Sequence, residues 1–146
     1  MKKIGVMGST GSIGTQTLEI VRKYPGRLRV TALAAGSNAA LLEAQAREFS
    51  PDFAVMWQKE AAEDLRVRLS DTKVKVACGM DGLLEMAALP GMDILVTAIV
   101  GMIGIQPTME AIRAHKDIAL ANTESRGNAG HLIIPLAREC GVSILP

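Results

Sequence analysis

Residues 8–14 of the chain read Gly-Ser-Thr-Gly-Ser-Ile-Gly, and this stretch decides the fold. It follows a short apolar run at 4–7 and leads into a segment with helical periodicity at 15–21. A strand, a glycine turn and a helix start, in that order, bring free backbone N–H groups and the positive end of a helix to one point. Such a point favours a phosphate group, so the stretch predicts a nucleotide site.

Downstream of the turn, apolar runs typical of strands alternate with helical patterns. Further strands are predicted at 28–36, 53–57, 74–78, 94–100, 118–121 and 142–145, with helices at 38–49, 58–70, 83–89, 107–115 and 131–140. This alternation predicts an α/β, Rossmann-like doubly wound fold: a mostly parallel sheet of about seven strands with helices on both faces. The most apolar strand, 94–100, is expected in the middle of the sheet and the strand at 74–78 near an edge.

Length and composition limit the class of protein. With 146 residues, 49% of them hydrophobic and 21% charged, the chain is predicted to form one domain over residues 1–146. Sixteen basic and fifteen acidic residues give a net charge of +1, and no basic stripe is interleaved with aromatics, which argues against a nucleic-acid surface. The partner is therefore expected to be a small molecule.

The cellular location is predicted from the N-terminus, the hydropathy and the cysteines. Met1 leads directly into a strand, which leaves no room for a signal peptide, and no apolar run reaches the length of a membrane span. Cys78 and Cys140 share no metal-type spacing and are interpreted as reduced, packed thiols. We expect a cytoplasmic protein without membrane contact.

Ligands of doubly wound sheets bind beyond the carboxyl ends of the strands, which selects the loops at 8–14, 36–38, 99–104 and 122–130. In the first loop, backbone N–H groups are predicted to face a pyrophosphate and Gly14 to let the helix approach the sheet. Three side chains in the same loop could add hydroxyl groups without adding charge. The predicted N–H donors are Thr10, Gly11, Ser12 and Ile13, and the hydroxyls are those of Ser9, Thr10 and Ser12.

The end of the second strand indicates which dinucleotide binds. Where NAD-binding chains carry an acidic residue for the ribose hydroxyls, this chain has Ala-Ala-Gly-Ser-Asn at 34–38. No carboxylate there repels a 2′-phosphate, and Ser37 and Asn38 supply neutral donors, so NADP is favoured over NAD. The alternative is that Ser37 or Asn38 only caps the next helix.

Few other side chains suggest chemistry. His115 and His131 are interpreted as surface or capping residues. Glu124 is the acidic residue of the fourth loop, where a solvated carboxylate is the simple interpretation. No metal-ligand cluster and no nucleophile paired with a base is evident, so a catalytic residue cannot be assigned.

Four motifs in this order and spacing closely resemble the N-terminal NADPH-binding domain of the 1-deoxy-D-xylulose 5-phosphate reductoisomerase family: those at 8–14, 35–38, 98–101 and 120–122. The resemblance covers the whole chain. It implies that the cofactor is lined by Thr10, Gly11, Ser12, Ile13, Gly36, Ser37, Asn38, Asn122 and Glu124.

The resemblance also implies a reaction. The family isomerises its phosphorylated sugar substrate with Mg²⁺ or Mn²⁺ holding the oxygens, and NADPH then reduces the product to 2-C-methyl-D-erythritol 4-phosphate, in non-mevalonate isoprenoid biosynthesis. The full-length family is expected to be a homodimer. Its metal-binding Asp and Glu would follow just after Pro146, and its C-terminal helical domain lies beyond, so this chain alone is expected to be inactive.

One motif departs from the family. The family pattern Asn-Lys-Glu stands here as Asn122-Thr123-Glu124, so Thr123 takes the place of a substrate-contacting lysine and weaker substrate binding is expected. Two other interpretations stay open: a stand-alone NADP-binding or regulatory module without catalysis, and a different NADP-dependent dehydrogenase that shares the glycine turn.

Overall fold

Strands and helices alternate along the chain in the computed structural model, which describes residues 1–99, 102–120 and 144–145. A short 3-10 turn at Met102–Gly104 precedes the last described helix. The elements, in chain order, are β1 (Lys2–Met7), α1 (Ser12–Lys23), β2 (Leu28–Ala35), α2 (Ala39–Phe49), β3 (Phe53–Met56), α3 (Lys59–Arg68), β4 (Lys75–Cys78), α4 (Gly79–Ala87), β5 (Ile94–Thr97), α5 (Ile105–Arg113), β6 (Asp117–Leu120) and β7 (Ile144–Leu145).

All seven strands belong to one sheet in the order β4-β3-β2-β1-β5-β6-β7, and every neighbouring pair is parallel. The chain steps outward from β1 to β4, then crosses back over β1 to begin β5 on the other side. Because crossovers between parallel strands are right-handed, this reversal moves the connecting helices to the opposite face. The predicted doubly wound parallel sheet is confirmed, with β4 at an edge and β5 beside the central strand β1.

Two apolar layers cover the faces of the sheet. Val6 and Met7 are adjacent in β1 and both fully buried, so they point into different layers. Val6 belongs to the layer with Leu18 of α1, together with apolar residues of α2 and α3. Met7 belongs to the layer with Met86 of α4 and Ile112 of α5. The central strand is therefore buried on both sides, as expected for a parallel sheet.

Helix α4 starts earlier than its sequence predicts. The sequence predicts a start at residue 83, whereas the helix begins at Gly79. Gly82, which discourages a helix by propensity, lies where an added Cβ would be 2.9 Å from Cγ1 of Val55 and 3.0 Å from Cβ of Ala77. The helix therefore needs a glycine to approach the sheet, and tertiary packing overrides local propensity.

Strand β5 is shorter than its sequence predicts, while His115 and Cys78 have the predicted surroundings. β5 ends at Thr97 rather than at residue 100, although Ala98 N–H still donates to Met7 O at 2.8 Å. His115 is exposed at φ 63° just after α5, as predicted for a surface or capping residue. Cys78 is a half-buried free thiol. The predicted helix at 131–140, with His131 and Cys140, lies outside the described residues.

A network of ion pairs joins α2 to α3 and to the residues that follow α3. Arg47 donates to Glu43 in its own helix at 3.1 Å and to Asp71 after α3 at 2.9 Å, while Arg68 donates to Glu43 at 3.1 Å. Hydrogen bonds from Arg47 and Arg68 hold the pKa of the Glu43 carboxyl below its ordinary value. The network is solvent-exposed, so its contribution to stability is modest and is reduced by salt.

Candidate dinucleotide site

Two glycines of the turn are required by the fold itself. Gly8 has φ +94°, and an added Cβ would lie 2.6 Å from the carbonyl oxygen of Ala98 at the end of β5. At Gly14 an added Cβ would overlap the Gly8 carbonyl and lie 2.6 Å from Cα of Ser9. The backbone N–H groups of Gly8 and Ser9 both donate to Ala34 O, at 2.8 and 2.9 Å. The turn is therefore packed against both neighbouring strands, β2 and β5.

The N-terminus of α1 has unpaired donors. Gly11 is the N-cap and offers no capping side chain, and the first turn contains no acidic residue. Thr15 N–H is the first to bond within the helix, to Gly11 O at 2.9 Å. The N–H groups of Ser12, Ile13 and Gly14 precede it and have no acceptor among the described residues. With the positive end of the helix dipole, they make a site for an anion.

Gly11 has a different role from the other two glycines. Its φ is −80° and an added Cβ would be 3.7 Å from Gly8 O, an ordinary contact, so the protein itself has room for a side chain there. Its N–H donates to Gly8 O at 3.3 Å, which corrects the expectation of a donor free for a ligand. The fold does not require a glycine at position 11, which lies beside free N–H groups. The absence of a side chain there would let a pyrophosphate come close to the backbone.

The hydroxyls of the turn are only partly available. Thr10 is half-buried and Ser12 is exposed, and Thr10 N–H has no acceptor among the described residues. Ser9 is fully buried, so its predicted role as a hydroxyl donor to a ligand is wrong. The reason is that the Ser9 backbone is bonded inward, toward β2.

An apolar cavity of about 270 Å³ opens beside the turn, at the carboxyl ends of β1, β2, β3 and β5. This is the edge of the sheet where β1 and β5 reverse the direction of winding, the usual ligand position in doubly wound sheets. No ionisable side chain is among the described residues of its lining. The lining residues are Gly8, Gly11, Ala34, Ala35, Gly36, Trp57, Leu83, Ala98, Ile99 and Ile103.

The second predicted turn, 36–38, lies at the mouth of this cavity. Asn38 Oδ1 accepts from Leu41 N–H at 3.1 Å, so the helix-capping interpretation of Asn38 is confirmed. Its Nδ2 has no partner among the described residues, and both Ser37 and Asn38 are exposed. Capping therefore uses the oxygen of Asn38 and leaves the amide donors for a ligand.

The backbone after β3 is bonded to this turn. Gln58 N–H donates to Gly36 O at 3.1 Å, and α3 begins at the next residue, Lys59. Trp57 N–H donates to Ala35 O at 2.8 Å in the same way. Trp57 and Gln58 directly follow β3. Their position beside the site could have been predicted from the sequence, because neighbouring parallel strands end at the same edge of a sheet.

The fold thus brings together seven of the nine residues predicted to line the cofactor: Thr10, Gly11, Ser12, Ile13, Gly36, Ser37 and Asn38. Asn122, Thr123 and Glu124 lie outside the described residues. Sequence reasoning missed three lining residues: Trp57 in the loop after β3, Leu83 of α4 and Ile103 of the 3-10 turn. Within 1–99, 102–120 and 144–145 no group of three metal-ligating side chains occurs, and no helix of these ranges has the length and hydropathy needed to cross a membrane.

A switch point in a parallel sheet, a glycine turn and an uncapped helix N-terminus define a Rossmann-like dinucleotide-binding class. The sequence model of 1-deoxy-D-xylulose 5-phosphate reductoisomerase matches residues 4–130. The chain belongs to the 1-deoxy-D-xylulose 5-phosphate reductoisomerase family.

Individual relatives agree with this assignment. The chain is 56% identical to the 1-deoxy-D-xylulose 5-phosphate reductoisomerase of Agathobacter rectalis over all 146 residues, which cover 38% of that enzyme. A solved DOX-P reductoisomerase in complex with NADPH, fosmidomycin and magnesium matches with TM-score 0.94 and 37% identity, over 100% of this chain and 36% of that one. The Zymomonas mobilis enzyme in complex with NADPH matches with TM-score 0.92 and 38% identity, over 99% of this chain and 38% of that one.

The chain thus spans well under half the length of the relatives that it matches. The resemblance to the family and the fold class predicted from the sequence are confirmed.

Proposed function

We propose that residues 1–146 form the NADPH-binding domain of a 1-deoxy-D-xylulose 5-phosphate reductoisomerase. The observation that carries the proposal is the uncapped N-terminus of α1 beside Gly11, a glycine that the fold does not require. The relatives solved with NADPH support the choice of this dinucleotide.

In this proposal the pyrophosphate lies against the glycine turn. The N–H groups of Thr10, Ser12 and Ile13 donate to its oxygens, and Gly11 allows the backbone to come close. Hydrogen bonds to a charged group are worth about 1.5–3 kcal/mol each, so this contact supplies much of the binding free energy.

Residues at the end of β2 and in the apolar cavity would hold the adenosine half. Trp57 and Ile99 would offer the adenine ring contact area without charge. The turn 36–38 would hold the 2′-phosphate, to which Ser37 and the Nδ2 of Asn38 would donate, and the backbone just before Lys59 is bonded to this turn. Gly36 leaves room for the ribose, because nothing lies within 4 Å of an added Cβ there.

The rest of the reaction is proposed from the family. Asn122 and Glu124 complete the cofactor site and Thr123 takes the substrate-facing position, while Mg²⁺ or Mn²⁺ is held by parts of the enzyme outside this chain. NADPH, when bound, supplies the hydride that reduces the isomerised sugar phosphate to 2-C-methyl-D-erythritol 4-phosphate. We also propose, from the family, that the enzyme is a homodimer. A cytoplasmic location is proposed as well, and the free thiol of Cys78 is consistent with a reducing compartment.

Titration with NADPH and with NADH tests the cofactor assignment. Trp57 is the one tryptophan of the chain and lines the cavity, so its fluorescence reports binding directly. Two hydrogen bonds to the 2′-phosphate predict that NADPH binds more than about tenfold more tightly than NADH. Equal affinities, or no binding of NADPH, would contradict the proposal.

Replacing Asn38 with aspartate is expected to abolish the preference for NADPH while leaving the fold intact. An aspartate keeps the oxygen that caps α2 and adds favourable charge at the helix N-terminus, but it removes Nδ2 and repels the 2′-phosphate. Calorimetry should show NADPH affinity falling by about tenfold or more, with NADH affinity unchanged or higher. Asn38→Ser is the matched control, since serine also caps helices but carries no charge; a preference for NADPH that survives in N38D would contradict the assignment.

A further inference from the structure

A buried amide reaches the glycine turn from the neighbouring helix. Gln45 of α2 is 4% exposed, and its Nε2 donates to the carbonyl oxygen of Ser9 at 2.9 Å. Its neighbours in the layer are apolar, among them Leu42 and Ala46 of the same helix. A polar side chain is costly to bury among such residues unless it is hydrogen-bonded. The Oε1 of Gln45 is buried without a partner among the described residues, so the bond from Nε2 to Ser9 O is the polar contact that its amide makes there.

The bond fixes the orientation of one peptide group of the turn. Ser9 is fully buried and its N–H donates to Ala34 O at 2.9 Å, so the residue is held from β2 on its amino side and from α2 on its carboxyl side. A backbone that presents N–H groups to a ligand must turn carbonyl groups the other way, and a buried carbonyl needs a donor. Gln45 is that donor for Ser9.

The same peptide group contains the N–H of Thr10. The described chain has no cis peptide bonds, and in a trans peptide the C=O and the next N–H point in opposite directions. Directing Ser9 C=O toward α2 therefore directs Thr10 N–H away from α2. This N–H has no acceptor among the described residues, which leaves it for a ligand.

We propose that Gln45 is a positioning residue for pyrophosphate binding: by holding Ser9 C=O, it aims the N–H of Thr10 at the pyrophosphate of the dinucleotide. The inference rests on the proposed function, because it needs a dinucleotide in the site. Helix α2 also carries Asn38 at its N-cap, so one helix orients both the glycine turn and the 2′-phosphate turn.

Two ligands separate this role from a merely structural one. NADPH has both a pyrophosphate and a 2′-phosphate, whereas adenosine 2′-monophosphate (2′-AMP) has only the 2′-phosphate, which the proposal assigns to the turn 36–38. In Gln45→Met, NADPH affinity measured by calorimetry should fall about tenfold while 2′-AMP affinity stays within about twofold. A lower folded fraction would weaken both ligands equally, so the ratio of the two affinities is unaffected by loss of stability.

Leu42→Met is the matched control. Leu42 is fully buried one turn earlier in α2 and packs in the same layer, but its side chain has no bond to the turn. The control should keep the wild-type ratio of affinities. Equal losses for both ligands in Q45M, or an unchanged NADPH affinity, would overturn the inference while the proposed function stands; failure of the wild-type chain to bind NADPH overturns both.

A measurement on the wild-type chain covers the case in which Q45M does not fold. Nuclear magnetic resonance should show NADPH shifting both the Thr10 amide signal and the Gln45 side-chain amide signals, because the two are joined through one peptide group. 2′-AMP should shift neither the Thr10 amide signal nor the Gln45 side-chain amide signals. Equal shifts with the two ligands, or no shift with NADPH, would contradict the role of Gln45.

Discussion

Replacement of Gly14 by alanine is expected to lower the free energy of unfolding by about 3 kcal/mol, even though the residue is in a helix where alanine is normally favoured. The cause is a clash that cannot be relieved by a side-chain movement, because the atoms met by the new Cβ are backbone atoms of Gly8 and Ser9. Urea unfolding followed by circular dichroism measures the loss.

Alanine substitutions at three further glycines serve as matched controls. They differ in whether the new Cβ clashes with neighbouring atoms and whether the backbone conformation disfavours a side chain. Gly8→Ala combines both effects and should be at least as damaging as Gly14→Ala, because φ is +94° and the new Cβ would lie 2.6 Å from Ala98 O. Gly26→Ala has strain alone, at φ +86° with nothing within 4 Å, and should cost about 1 kcal/mol. Gly11→Ala has neither effect, so a loss of stability there as large as that of Gly14→Ala would refute this account.

Replacement of Gly11 by valine is expected to weaken NADPH binding about 30-fold with little change in stability. Valine fits the extended backbone of the N-cap, but it would add bulk at a position that lines the cavity and directly precedes the free N–H groups of Ser12 and Ile13. Displacing the pyrophosphate by one such side chain removes about one charge-assisted hydrogen bond, worth about 2 kcal/mol.

Comparing alanine with valine at position 11 tests whether the size of the side chain causes the loss of binding. Gly11→Ala should weaken binding less than Gly11→Val, and both proteins should unfold at nearly the wild-type urea concentration. If Gly11→Val binds NADPH as tightly as the wild type, the pyrophosphate does not approach Gly11 and the glycine turn is not its site.

The fold and the location of the site could be predicted from the sequence because both follow from local patterns. The glycine turn at 8–14 needs only its own residues and the strand and helix beside it. Asn38 could be predicted as a helix cap for the same reason, and the structure shows that bond. The absence of an acidic residue at the end of β2 could likewise be predicted, because it requires only that the end of this one strand be located in the sequence.

The residues that sequence reasoning missed depend on contacts between distant segments. Gln45 has the spacing of a core residue in α2, and its polar role appears only when Ser9 is placed opposite it. Gly82 argues against a helix until the closeness of Val55 explains it. Trp57 reaches the cavity because β3 ends at the same edge as β1 and β2. Each of these contacts joins residues that are distant in the sequence, and the periodicity of a single segment does not reveal such contacts.

The central position of β1 also governs when the site can exist during folding. β1 pairs with β2 and with β5, and its pairing with β5 joins Ile4 to Ile94 across most of the described chain. Long-range pairings of this kind form slowly, because a large loop must close before the contact is gained. An intermediate that lacks β5 leaves Gly8 without its neighbour Ala98, and the cavity wall then lacks Ala98 and Ile99. Dinucleotide binding therefore selects chains whose sheet is already complete.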